Sequence, residues 1–272
     1  MADSDRVAVS CVAELADASW AVDGLPARPS PPELRRARGQ GEDIVKAINL
    51  KAWAGEVLGI MGPSGSGKTT LLRLMAGLLR PTRGRAFLFG ADITDMPEAK
   101  LNSLRRRTGF VFQHAALFDS MTVLENAAFP LLEHTKLSRR EAAQKAFEKL
   151  SLVGLEGVGD LLPAQLSGGM QKRVGIARAL SLEPELILYD EPTGELDPIA
   201  AEAVENVIRD LQERMGVACV IVSHDVRAVL RLSETVAVLH EGQIVAVGSP
   251  DELSRCDHRV VRAMLSRQTQ AG

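Results

Sequence analysis

The sequence predicts an α/β protein built on a mostly parallel central sheet, and three observations carry that prediction. Short apolar runs alternate with longer segments of helical periodicity. The runs at 57–61, 109–112, 186–189 and 217–222 are rich in Val, Ile, Leu or Phe and do not alternate with polar residues. Each is bounded by turn-forming or chemically functional residues. A strand covered on both faces needs apolar side chains in both directions, which is the situation in a parallel sheet flanked by other layers.

The remaining elements follow in chain order. Residues 25–42, LPARPSPPELRRARGQGE, hold four Pro and four Arg against two Glu. Such a segment builds no core, and 24–42 reads as a surface insertion, either a solvated loop or one whose arginines meet anionic headgroups. From 101 to about 155 the helical runs, such as 139–150, suggest an α-rich subdomain inserted into the sheet. After Pro198 the residues Val204, Val207, Ile208, Leu211 and Met215 recur three or four apart, and Gly216 is placed to stop that helix. Runs at 235–239 and 244–247 around Gly242 read as a β-hairpin. The tail 251–272 has helical spacing through Leu253, Val260, Val261, Met264 and Leu265, as an ordinary terminal helix or a grip on a neighbouring subunit.

Composition excludes several classes. The 272 residues carry 32 Lys+Arg against 35 Asp+Glu, a net charge of −3, with 46% hydrophobic and 25% charged residues. That balance disfavours disorder, collagen-like structure and a basic nucleic-acid-binding surface, so no nucleic-acid partner is expected. Cys11, Cys219 and Cys256 are far apart and lack metal-site spacing, which disfavours a disulfide framework or structural zinc. The first ten residues have no apolar core, and the run 217–222 is far shorter than the ~20 residues of a membrane span. The chain is therefore expected to be neither exported nor membrane-spanning by itself.

Directly after the strand at 57–61 come Gly62, Pro63, Ser64, Gly65, Ser66, Gly67, Lys68 and Thr69, a full GxxxxGKS/T pattern, followed by a helical run from Thr70 to about 79. The glycines let backbone N–H groups face a phosphate, and the helix N-terminus adds positive potential at the same place. Lys68 supplies a point charge for the β and γ phosphates, and the Thr69 hydroxyl is a Mg²⁺ ligand. A second carboxylate source ends the strand at 186–189: Asp190 for the metal, and Glu191 to orient or deprotonate an attacking water. A second anion-docking device is Leu166-Ser167-Gly168-Gly169-Met170-Gln171, where Ser167 and two glycines open a helix that runs to Leu180.

In this combination the chain resembles the ATP-binding subunits of ABC transporters across roughly residues 8–250. LSGGMQ resembles the family's signature, 62–69 its Walker A, 186–191 its Walker B, and Leu196-Asp197 its D-loop. The resemblance implies a P-loop NTPase fold with an antiparallel β part and an inserted helical subdomain. The domain reading is one ATPase domain over 1–250, with the Q-loop and helical subdomain at about 101–180, then the tail 251–272. It also implies that Glu191, His224, Gln113 and Lys68 serve catalysis and that Gln113 joins Thr69 and Asp190 at Mg²⁺. ATP would lie on residues 62–69 and Thr70, with Ser167, Gly168 and Gly169 reaching it from a second copy in a head-to-tail homodimer. Trp20 lies where the family places a ring that stacks on adenine; a plain packing aromatic is the other reading, and Trp53, on a turn before the Walker A strand, competes for the role.

One departure stands out. The D-loop carries Glu195 directly before Leu196-Asp197, where the family usually has a small residue. The stretch ALFDSMTVLENAAFPLLEHT after Gln113 resembles that of the Mla and Mce group, whose ATPases energise lipid movement between membranes. That resemblance implies an integral-membrane permease and an Mce-type lipid-binding protein as partners, at the cytoplasmic face of the inner membrane. By composition alone, Leu117, Phe118 and Met121 serve equally to pack a partner or to cap this chain's own core. The alternatives are an importer or exporter of amino acids, peptides or lipoproteins, or a non-transport ATPase of the same family.

Overall fold

The computed structural model describes residues 10–21 and 43–269. The insertion expected at 24–42 lies outside the described residues. Strands β1 (Cys11–Ala21), β2 (Asp43–Trp53), β4 (Arg83–Leu88) and β5 (Ala91–Asp92) form an antiparallel sheet in the order β2-β1-β4-β5. Strands β3 (Val57–Met61), β6 (Thr108–Val111), β7 (Leu186–Asp190), β8 (Ala218–Ser223), β9 (Thr235–His240) and β10 (Gln243–Gly248) form the central sheet, ordered β10-β9-β3-β8-β7-β6. All its pairings are parallel except the β9-β10 hairpin at one edge.

Two hydrophobic cores explain why the apolar runs do not alternate. Leu186, Leu188, Val220 and Val222 face a core shared with the antiparallel sheet and helix α1 (Lys68–Met75). Their neighbours Ile187, Tyr189, Cys219 and Ile221 face a second core. That second core is closed by helices α3 (Val123–His134), α4 (Arg139–Leu152), α5 (Gly168–Leu180) and α6 (Pro198–Met215). Each such side chain, taken fully out of water, contributes roughly 1.5–3 kcal/mol. Helix α2 (Glu98–Arg105) precedes β6.

Helices α3 and α4 are held at their starts by local chemistry. Thr122 with Glu125, and Ser138 with Glu141, form reciprocal capping boxes at the starts of α3 and α4. Buried Ala127, Ala128, Ala142 and Ala146 present little bulk where these helices meet. Gly109 has a comparable role on β6, because a Cβ there would stand 2.8 Å from the carbonyl oxygen of Ala179 on α5.

Four expectations need correction. The first helix spans Lys68–Met75 rather than 70–79: it begins inside the phosphate loop, and Gly77 at φ +65 ends it, with a Cβ there falling 3.0 Å from Ile93. On α6, Val204, Ile208 and Leu211 are buried, but Met215 sits one residue before the left-handed Gly216 and is exposed. Trp53 ends β2 instead of lying on the turn. The tail is two helices, α8 (Pro250–Ser254) and α9 (Arg259–Thr269). Leu253 and Val261 are buried against Val226 and Val229 of α7 (Val226–Leu232) and against β9, so the tail packs on its own chain.

Candidate active site

Parallel register brings three strand ends together. Met61 of β3 pairs with Ser223 of β8, and Asp190 of β7 pairs with Val222, so the loops leaving these strands open at one edge of the sheet. The turn after β3 is tight: a Cβ on Gly62 would lie 2.3 Å from the carbonyl oxygen of Leu239. Gly67 caps α1 at φ +102, a conformation open to a residue without Cβ. Lys68, nearly buried, donates from Nζ to the carbonyl oxygens of Gly62 at 2.9 Å and Pro63 at 3.2 Å. The same Nζ lies 3.8 Å from Glu191 Oε1. Burial pulls the Lys68 ammonium below its ordinary pKa, with Glu191 and then Asp190 opposing that shift.

Asp190 accepts a hydrogen bond from Thr69 Oγ1 at 2.9 Å. Burial raises its pKa, and the Thr69 hydrogen bond is the main opposing influence. Glu191 adopts φ +49. Its Oε2 accepts from Ser223 Oγ at 2.9 Å and from the backbone N–H of His224 at 3.2 Å, and lies 2.9 Å from His224 Nδ1. Two adjacent residues at the exit of β8 therefore hold one carboxylate.

A cleft of 400 Å³ opens over this arrangement, lined by Ile44, Ser64, Gly65, Gly67, Lys68, Thr69, Thr70, Gln113, Glu191 and His224. It unites the phosphate loop with the residues expected to act on its ligand. Trp20 does not line it; that ring is half-buried on β1 opposite Val45, next in the chain to the lining residue Ile44. Ser167, Gly168 and Gly169 do not line it either. They sit where Ser167 caps α5, its Oγ accepting from the N–H of Met170 at 3.3 Å. Cβ atoms on Gly168 and Gly169 would come 3.2 Å from Leu196 and 3.3 Å from Ala200, so this turn lies against Leu196 and the start of α6.

The segment after Gln113 divides its residues between two tasks. Leu117 packs on the second core, whereas Phe118 is exposed and stacks on Phe129 at 4.7 Å. Phe118, Phe129 and Pro130, with Phe110 and Phe112, line an open cleft of 540 Å³. Asn126 is fully buried and laces the segment: Nδ2 donates to the carbonyls of Phe118, Met121 and Thr122, and Oδ1 accepts from the N–H of Phe118. Two further polar residues escaped the sequence reading. Lys172 donates to the carbonyl oxygens of Gln113 and Glu191, and Arg178 to those of Ala115 and Ala116. Their position on the helix after LSGGMQ was visible, but their acceptors are backbone atoms that no residue type announces.

The ABC transporter family model matches residues 45–194. The chain belongs to the ABC transporter family. It is an ATP-hydrolysing subunit, as its family and the ATP-binding cassettes of the same fold show. Among its relatives, the intermembrane phospholipid transport system ATP-binding protein MlaF of Escherichia coli K12 is 42% identical over 82% of each chain. MlaF of Haemophilus influenzae is 39% identical over 80% of this chain and 83% of its own. The Fe(3+) ions import ATP-binding protein FbpC of Brucella abortus is 46% identical, but the match spans 76% of this ABC ATPase and 57% of FbpC. A dimeric ATP-binding cassette solved in a post-hydrolysis state with ADP and phosphate superimposes with a TM-score of 0.76 at 32% identity, covering 88% of this chain and 98% of the other.

Proposed function

We propose that this ABC ATPase energises the movement of phospholipid, or a closely related hydrophobic cargo, between membranes. The observation that carries its chemistry is the convergence of Lys68, Thr69, Gln113, Glu191 and His224 on one cleft. ATP lies with its phosphates on residues 62–69 and Thr70, where loop N–H groups, the α1 N-terminus and the Lys68 ammonium balance the negative charge. Trp20, beside Ile44, is the ring assigned to the adenine. Glu191 takes a proton from the attacking water, and His224, already hydrogen-bonded to that carboxylate, sits beside the γ-phosphate.

The site fits a magnesium ion. Thr69 and Asp190 offer a hydroxyl and a carboxylate in mutual contact, and the Gln113 amide faces the same cleft, all hard oxygen donors. Held there, Mg²⁺ would neutralise charge on the β and γ phosphates. Ser167, Gly168 and Gly169 lie off the cleft, which supports a head-to-tail homodimer in which each signature closes the partner copy's site.

No described helix is long and apolar enough to cross a membrane, so the work of hydrolysis passes to another protein. We assign that contact to the Phe-lined cleft beside Gln113, as the seat of an integral-membrane permease at the cytoplasmic face, working with an Mce-type lipid-binding protein. The lipid reading rests on the MlaF relatives, matched over most of both chains. The 46% identity to FbpC favours a second reading, an ion importer with a soluble receptor.

Purification from native membranes through a tag on this chain separates the two. A co-purifying permease, lipid-binding protein and retained phospholipid are expected; a permease with a soluble-ligand receptor overturns the lipid reading. Native mass measurement of Glu191→Gln with Mg-ATP is expected to show a dimer, and a persistent monomer overturns the shared site.

A further inference from the structure

Lys172 stands one turn beyond Gly168 on α5 and is almost fully buried. Its Nζ donates to two backbone carbonyls from different parts of the sheet: that of Gln113, just past β6, and that of Glu191, just past β7, the latter at 3.1 Å. Among the described residues no carboxylate is within ion-pair distance, although the more distant Glu195, Glu191 and Asp190 attract its charge. Keeping a charge in so buried a position costs the fold free energy, offset by the two carbonyls. Arg178, further along the same helix, donates to the carbonyls of Ala115 at 2.6 Å and Ala116 at 2.7 Å. Those two residues hold left-handed backbone at φ +57 and +47, which L-residues adopt only when their surroundings impose it. One helix thus grips the segment 113–116 at both ends, and through Lys172 it also grips the residue carrying the carboxylate.

We infer that Lys172 is a positioning residue that ties the N-terminus of α5, carrying Ser167, Gly168 and Gly169, to Gln113 and Glu191. This rests on the roles given to Gln113 and Glu191 above. Residues 167–169 serve the partner copy's nucleotide, while Gln113 and Glu191 serve the nucleotide on this chain. A helix is stiff over so short a span, so docking of its first turn on one nucleotide moves Lys172, and with it the backbone at the other site. Occupancy of either site in the dimer is thereby felt at the other.

Steady-state ATP hydrolysis by the full chain tests this with Lys172→Met, Lys172→Arg and the control Glu191→Gln. Lys172→Met is expected to lower kcat about tenfold or more while KM for ATP stays within about threefold, with cooperativity in ATP lost. Lys172→Arg, which keeps a cation with several donors, is expected to restore kcat to within about threefold of the parent. If Lys172→Met is insoluble, Lys172→Gln is judged by the same thresholds. A smaller loss of kcat, a parallel rise in KM, or failure of Lys172→Arg to restore the rate overturns the inference while leaving the site assignment intact. Parent-like hydrolysis by Glu191→Gln overturns the site assignment and this inference together.

Discussion

Thr69 Oγ1 and Asp190 Oδ1 meet at 2.9 Å although 121 positions separate the two residues in the chain. The hydroxyl comes from the first turn of α1 and the carboxylate from the last residue of β7, so the hydrogen bond records where two strand exits converge. If both oxygens turn to a magnesium ion when nucleotide enters, removing either should leave nucleotide affinity largely intact and damage turnover. Thr69→Ala and Asp190→Asn are each expected to lower kcat/KM about 100-fold and to raise the Mg²⁺ concentration needed for half-maximal rate. Chelation of Mg²⁺ is expected to abolish hydrolysis in the parent. Titration of the rate against Mg²⁺ checks all three.

Glu195 departs from the family's small residue and adopts φ +67. Its one basic neighbour by ion-pair distance among the described residues is His114, with Nδ1 at 3.7 Å and both side chains well exposed, a pairing worth little in water. Glycine tolerates that backbone conformation and loses some unfolded-state entropy advantage in return. Glu195→Gly is expected to raise Tm by about 1–3 °C and to change the ATPase rate by less than about tenfold. A larger loss of rate means that the carboxylate has acquired a task at the subunit contact.

Glu205 is buried on α6 and accepts from Arg231 of α7 at 2.6 Å, tying the helix after the D-loop to the helix after His224. Burial raises its pKa above the ordinary value, and Arg231 only partly counters this. The folded state therefore holds a proton that the unfolded chain has already released, and this contribution to stability is lost as pH rises through the folded value. Glu205→Gln keeps an acceptor for Arg231 and removes the buried charge. Its Tm relative to the parent is expected to increase between about pH 4.5 and about pH 7. A difference that is flat or falls over that range contradicts the sign.

The chain has two tryptophans, Trp20 and Trp53, which makes a simple optical test available. In Trp53→Phe the remaining emission comes from Trp20. Stacking on adenine is expected to quench or shift that emission saturably on addition of ATP, with a smaller response to a nucleotide lacking a purine. An unchanged spectrum at saturating ATP returns Trp20 to an ordinary packing role.

Much of the fold was legible because burial on two faces leaves a plain mark. Leu186 to Tyr189 send side chains alternately into two cores, so every residue must be apolar. The phosphate loop was legible for a related reason: Gly62 and Gly67 occupy places where a Cβ would strike backbone oxygens. The antiparallel sheet was less so. Strand β1 is broken by register shifts between Leu15 and Ala18, with Asp17 at φ +49, and the regular two-residue rhythm of a strand is lost there. Lys172, Arg178 and Asn126 act on main-chain carbonyls, and a residue that recognises backbone pairs with no particular letter in the sequence. The same reason hid Asn126 within a stretch that reads as a docking surface.

Lys68 has two acceptors, the carbonyls of Gly62 and Pro63, inside the loop it belongs to. Entry of a triphosphate is therefore a barter: the ammonium surrenders two neutral acceptors and receives charged ones, and only the difference appears as affinity. A nucleoside without phosphates has nothing to offer in that exchange, however well its base is received.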